Sequence, residues 1–192
     1  MLLYLLMFTK NTHWIGAVLT AMTSKQIICH FLITASILVM TSGAHSAPFA
    51  SGQPAPVVDL PRLPTDGTRI SLASLRGKVV YLDFWASWCG PCRLSLPEMN
   101  TLRQELVDQG FEVLAVNVDE VEEDALLFLE EIPVSYPVIW DPTGNTSQIF
   151  GILGMPTAFL IDRSGVVREV HQGFRKGDTD KIRTQVLQLL KE

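Results

Sequence analysis

Apolar and polar positions divide the chain into a uniformly apolar front and a patterned body. Residues 27–40 form a 14-residue, largely apolar run. From about residue 51 the pattern changes to short elements set off by Gly, Pro and Asp. Residues 57–60 read as a short strand, Thr65-Asp66-Gly67 as a turn, and residues 69–71 as a strand pairing back in a hairpin. Residues 72–75 fit one helical turn. Residues 78–85 are β-branched and aromatic, almost all apolar, and predict a strand buried on both faces; residues 111–118 predict a second. Between them, Leu96, Met99, Leu102 and Leu106 recur at helical spacing over residues 91–108, with Gly110 as C-cap and Pro97 expected to kink the helix. A helix over 121–131, a strand over 137–140, a turn at Pro142-Thr143-Gly144 and a short helix over 145–150 follow. Strands over 157–161 and 166–171 are joined at Asp162-Arg163-Ser164-Gly165. A last helix has Asp178 as its N-cap and Ile182, Val186 and Leu189 on its inner face. Strands alternating with helices predict a layered α/β domain.

Charge separates the same two parts. The first acidic residue is Asp59, and Lys10 and Lys25 are the only bases before it; residues 48–192 hold all 20 acids against 13 bases. That balance excludes a nucleic-acid partner, since no basic surplus is available to neutralise phosphates. Lys25, the apolar run behind it and the small residues from Thr41 to Ala47 form the pattern of a secretory signal peptide, assigned to residues 1–47, with Met22 as the expected true start. The run is short for a membrane span, which needs about 20 apolar residues; an uncleaved anchor is the alternative. Cys29 follows Ile28, not the small residue of a lipoprotein signal, and reads as a bystander. The folded part, residues 48–192, is then exported to the periplasm, where disulfides persist.

Removing that segment leaves two cysteines, in Trp88-Cys89-Gly90-Pro91-Cys92. A Cys-x-x-Cys between a strand and a helix is a redox pattern on physical grounds. The first cysteine sits where unpaired helix N–H groups and the helix dipole favour a thiolate. The second, one turn on, can attack a mixed disulfide formed on the first. A zinc site needs two more ligands, and no other cysteine is present to supply them. Asp83 interrupts the apolar run six residues before Cys89. Burial there raises a carboxyl pKa and makes it a candidate to take or give the proton of Cys92. Trp85 reads as core, and Trp88 as part of the substrate face. The acidic run Asp119, Glu120, Glu122, Glu123 and Asp124 reads as the solvated first turn of a helix. His171 reads as a strand residue, with a copper-ligand role as the remote alternative.

Asp83-Phe84-Trp85-Ala86-Ser87-Trp88-Cys89-Gly90-Pro91-Cys92 resembles the active-site stretch of thioredoxins. The longer pattern, with Ala55-Pro56, Gly77-Lys78, Val116-Asn117-Val118-Asp119 and Pro156-Thr157-Ala158-Phe159-Leu160-Ile161-Asp162, resembles the exported TlpA/ResA-like thiol-disulfide oxidoreductases over residues 52–190. The resemblance implies a thioredoxin-like fold: a central mixed β-sheet flanked by helices, an N-terminal β-hairpin extension and an inserted helix-strand segment. It implies that Pro156 is a cis-proline facing the cysteines and that Met155 offers backbone hydrogen bonds to an extended substrate, with Trp88, Gly90 and Pro91 beside them. Ala115 stands where thioredoxins carry a lysine near the buried acid, so Asp83 is expected to lack a partner. Ser95 stands where several members serving cytochrome c maturation carry glutamate, and Leu82 and Ala86 break the peroxiredoxin pattern. The implied activity is reduction of protein disulfides by a monomer without metal or organic cofactor, recharged by a membrane electron donor. A copper-delivery protein of the same fold is the alternative. Gly90-Pro91 matches thioredoxin, at about −270 mV, and favours the reducing direction over that of an oxidant near about −120 mV.

Overall fold

A computed structural model describes residues 51–192, so the expected signal segment and Cys29 lie outside the described residues. β1 (Asp59–Pro61) pairs antiparallel with β2 (Arg69–Ser71) in a separate two-stranded sheet. Asp66 closes the turn between them, accepting from the backbone N–H and the hydroxyl of Thr68. β1 begins two residues later than its apolar residues suggest: Val57 is 87% exposed, so the hydrophobic run is not the paired segment. One 3₁₀ turn, Leu72–Leu75, follows, its Ala73 N–H donating to the Ser71 hydroxyl.

The main sheet is built from β3 (Val79–Trp85), β4 (Phe111–Asn117), β5 (Val138–Trp140), β6 (Thr157–Ile161) and β7 (Val167–Gln172), in the order β5-β4-β3-β6-β7. β3, β4 and β5 are parallel, while β6 and β7 run antiparallel to their neighbours. Both long apolar runs, β3 and β4, are buried along their full length at the sheet centre. Among the described residues the four α-helices are α1 (Cys92–Leu106), α2 (Glu122–Glu131), α3 (Asn145–Ile149) and α4 (Asp178–Leu190). The segment between β4 and β6 supplies α2 and the edge strand β5, which is the inserted helix-strand unit. The hairpin extension docks beside that edge, with the Leu63 N–H donating to the Val138 carbonyl at 2.9 Å.

Each sheet face has its own core. Val79, Tyr81 and Trp85 join Leu96, Met99, Leu102 and Leu106 of α1 and Ile182, Val186 and Leu189 of α4. Val80, Leu82 and Phe84 point the other way, onto Phe150, Phe159 and Leu72. The period of two along β3 is thus the rule that places alternate residues beneath α1. α1 leads through a 3₁₀ turn into Gly110, whose φ of 95° is the left-handed conformation that ends the segment and feeds β4. At α4 the N-cap is Gly177, not Asp178. Asp178 is the first helical residue, and its carboxylate turns back to accept from the Arg175 N–H at 2.7 Å. A glycine with φ of 96° makes the turn that Asp178 then closes.

Leu102 is fully buried between α1 and the sheet. Leu102→Ala is expected to lower stability by about 2–5 kcal/mol, the usual cost of a large-to-small core change, read as a shifted denaturant midpoint with an unchanged slope.

Candidate redox site

β3 ends at Trp85, and the chain turns through 86–91 into α1. Local hydrogen bonds make that turn: Cys89 N–H to the Ala86 carbonyl, Cys92 N–H to the Cys89 carbonyl, and Arg93 N–H to the Gly90 carbonyl, at 3.1, 3.1 and 3.2 Å. α1 starts at Cys92 without a side-chain cap. The Cys92 N–H, besides its bond to the Cys89 carbonyl, lies 3.3 Å from Cys89 Sγ. A helix N-terminal donor aimed at sulfur stabilises negative charge there.

The two sulfurs are bonded at 1.99 Å, with the α-carbons 5.3 Å apart. Their surroundings differ. Cys92 is fully buried, whereas Cys89 is 4% exposed and flanked by exposed Trp88, Gly90 and Pro91. Cys89 is therefore the cysteine nearer to the surface. Met155 packs against the same buried cluster as the cysteines, and the Met155–Pro156 bond is cis. Trp88 is 70% exposed, a large ring held in water next to Cys89 in the chain. Trp85 is core, packed on Phe128 with ring centroids 4.9 Å apart.

Asp83 lies between Tyr81 and Trp85 on the β3 face that meets α1 and the cysteines. It is 1% exposed, and neither carboxyl oxygen has a hydrogen-bond partner among the described residues. Its cross-strand neighbours are Ala115 on β4 and Ala158 on β6, two methyl groups and no cation. Burial alone pushes its pKa up to about 8. Tyr81 and Tyr136 also sense it: burial first, then the Asp83 charge, raises both phenols well above their ordinary value.

A second buried carboxylate has the opposite environment. Asp119 was expected in the solvated first turn of a helix. It lies instead just beyond β4, almost fully buried; only Glu122, Glu123 and Asp124 occupy the first turn of α2. Asp119 accepts from the Ser87 N–H at 2.9 and 3.2 Å, from the Ser87 hydroxyl at 2.9 Å and from the Asn117 amide at 2.7 Å. It thereby ties the turn carrying Cys89 to the end of β4. The local signal in the sequence was Asn117-Val118-Asp119 directly after a buried strand, but nothing local pointed to Ser87. His171 is a β7 strand residue, and among the described residues no group of three or more His, Cys, Asp or Glu converges as a metal site.

Two outcomes follow from these environments. Between pH 4 and 8 the unfolded chain ionises Asp83 and the folded chain does not, so the folded state holds the extra proton and stability falls as pH rises. Asp83→Asn removes this dependence. Relative to the variant, the parent is expected to lose up to about 1.4 kcal/mol per pH unit across that window, in denaturant titrations at stepped pH; a constant difference would contradict it. Asp119→Ala strands the Ser87 donors and is expected to cost about 1–3 kcal/mol, with the loss appearing as raised hydrogen exchange at Ser87.

A family model described as Redoxin matches residues 50–187. The thiol-disulfide oxidoreductase ResA of Halalkalibacterium halodurans is 35% identical over 126 residues, which are 66% of this chain and 70% of that one. ResA of Bacillus cereus is 35% identical over 106 residues, and there the chain spans 61% of the relative's length. A crystal structure from Chlorobium tepidum, described as a candidate thiol:disulfide interchange protein DsbE, has 44% identity and a TM-score of 0.70, covering 74% of this chain and 99% of that one. The buried β3 run, the bonded Cys89–Cys92 pair at the tip of α1 and these matches agree: the chain belongs to the redoxin family, as a TlpA/ResA-like thiol-disulfide oxidoreductase of the thioredoxin superfamily.

Proposed function

We propose that this protein is an exported reductase of protein disulfides, with Cys89 as nucleophile and Cys92 as resolving thiol. The observation that carries the reading is the asymmetry of the pair. Cys89 meets the surface and receives the Cys92 N–H, while Cys92 is sealed beneath it. In the reduced form, the Cys89 thiolate attacks a substrate disulfide and forms a mixed disulfide, expelling one substrate thiolate. Cys92 gives its proton to Asp83, once that acid is in its carboxylate form, and attacks Cys89; the mixed disulfide breaks, and the second substrate thiolate leaves. Two electrons pass to the substrate, and the Cys89–Cys92 bond remains. No metal or organic cofactor enters these steps.

Trp88, Gly90 and Pro91 border the attacked sulfur, and Met155 with cis-Pro156 offers an extended substrate a backbone edge. The Gly90-Pro91 dipeptide supports the reducing direction, which requires a membrane protein to supply electrons from the cytoplasm. Export rests on the apolar front of the chain, and residues 1–47 are read as its signal segment. No helix among the described residues is long and apolar enough to cross a membrane. Ser95, buried one turn after Cys92, offers a hydroxyl where a carboxylate would serve cytochrome c maturation. General thiol homeostasis outside the cytoplasm therefore fits the site better than that pathway.

Cys89→Ser is expected to abolish reduction of a model protein disulfide such as that of insulin. Cys92→Ser is expected to accumulate mixed disulfides that survive non-reducing electrophoresis. Turnover by the first variant, or no covalent species with the second, would contradict the assignment of roles.

A further inference from the structure

Asp83 must gain and lose a proton in the proposed reaction, yet it has no contact with bulk water. Sheet register identifies the way out. Asp83 is paired with Ala158 of β6, and Ala158 with His171 of β7, so all three share one face. About 10 Å, two strand spacings, separates the acid from the imidazole, and the intervening position projects only a methyl group. In the other direction lie Ala115 and Val138, both apolar and buried. His171 Nε2 is itself buried without a partner, and its ring lies 5.9 Å from that of Tyr81. Tyr81 precedes Asp83 by two residues on the same face, and its hydroxyl senses both Asp83 and Asp178. His171 also lines a cavity of about 370 Å³, together with Arg175, Asp178 and Lys181 at the start of α4. Buried polar atoms without protein partners are commonly met by ordered water, and a polar cavity of this size can admit it.

We propose that His171 is the relay through which Asp83 exchanges its proton with solvent, by way of the Tyr81 contact and the cavity at the start of α4. The inference rests on the reading that Asp83 takes the Cys92 proton. Before resolution, neutral Asp83 passes its own proton through ordered water to the neutral ring of His171, and the carboxylate left behind takes the Cys92 proton as Cys92 attacks. The imidazolium then releases a proton to water in the cavity, while the departing substrate thiolates take theirs from solvent. No electrons move in the relay. Lys181 and Asp178 face His171 from α4, Glu169 from its own strand and Tyr81 from β3; burial and then Lys181 lower the imidazole pKa, and the two acids oppose this. Tyr81 and Tyr136 face Asp83. A ring that is neutral at rest can accept, and imidazole is the side chain suited to proton transfer near neutrality.

The test is stopped-flow reduction of a model protein disulfide by the full chain from pH 6 to 9. Parent, His171→Ala and His171→Gln are compared, each with and without Asp83→Asn. His171→Ala is expected to slow the resolving step about tenfold, within the range of a positioned proton-transfer group, with an unchanged reduction potential. Added imidazole, entering the vacated space, restores the rate. His171→Gln keeps the polarity but cannot carry a proton, and is slowed equally, so the test survives if the alanine variant folds poorly. With Asp83→Asn present, changing His171 has no further effect. Parent-like rates in both His171 variants, slowing that imidazole fails to relieve, or slowing that persists undiminished beside Asp83→Asn would each overturn the relay. If Asp83→Asn alone is as fast as the parent, the reading of Asp83 as proton acceptor has failed, and the relay falls with it.

Discussion

A carboxyl group closed under a sheet without a partner is the constraint around which this site is arranged. Asp83 has small apolar neighbours across both adjacent strands, aromatic residues before and after it on its own face, and the redox helix above that face. Holding its pKa near 8 against an ordinary value of 3.8 means that ionising it in place costs on the order of 5 kcal/mol. That is a large part of the net stability of a domain of this size. No hydrogen bond offsets it, since neither oxygen has a partner among the described residues. A residue this unfavourable to charge is poor as a structural element and well suited to hold a proton at neutral pH. Chemistry at the neighbouring thiol is the use that fits its position.

The second constraint is positional. The turn before Cys89 has no regular structure of its own, and it is fixed from outside by Asp119, which gathers both Ser87 donors and the Asn117 amide. Two aspartates, one within β3 and one just beyond the end of β4, thus have opposite surroundings: one oxygen pair is saturated with donors, the other faces none among the described residues. Charge-assisted bonds make the first a clamp, and their absence leaves the second able to change its protonation. The helix tip presents one N–H to the sulfur of Cys89.

Much of this was legible in the chain because it was written at short range. The all-apolar runs became β3 and β4, the three-to-four spacing of Leu96, Met99, Leu102 and Leu106 became the inner face of α1, and Trp88-Cys89-Gly90-Pro91-Cys92 became a bonded pair at a helix start. Ala115 was placed beside Asp83 by resemblance, and the strand register puts it there. What escaped depends on distant pairing. Asp119 looks like one acid among five until β4 ends beside a turn 32 residues earlier. Val57 looks like strand until its side chain is found in water. Asp178 has the chemistry of an N-cap, yet Gly177 has the backbone freedom the turn demands. The alignment of His171 with Asp83 exists only once β6 is known to lie between β3 and β7.

The central claim, that Asp83 is a neutral acid under the disulfide, is tested most directly by following its carboxyl carbon by NMR in the oxidised full chain across a pH titration. A midpoint near 8 is the expected result. A midpoint below about 4.5, the range of an ordinary carboxylate, would contradict it.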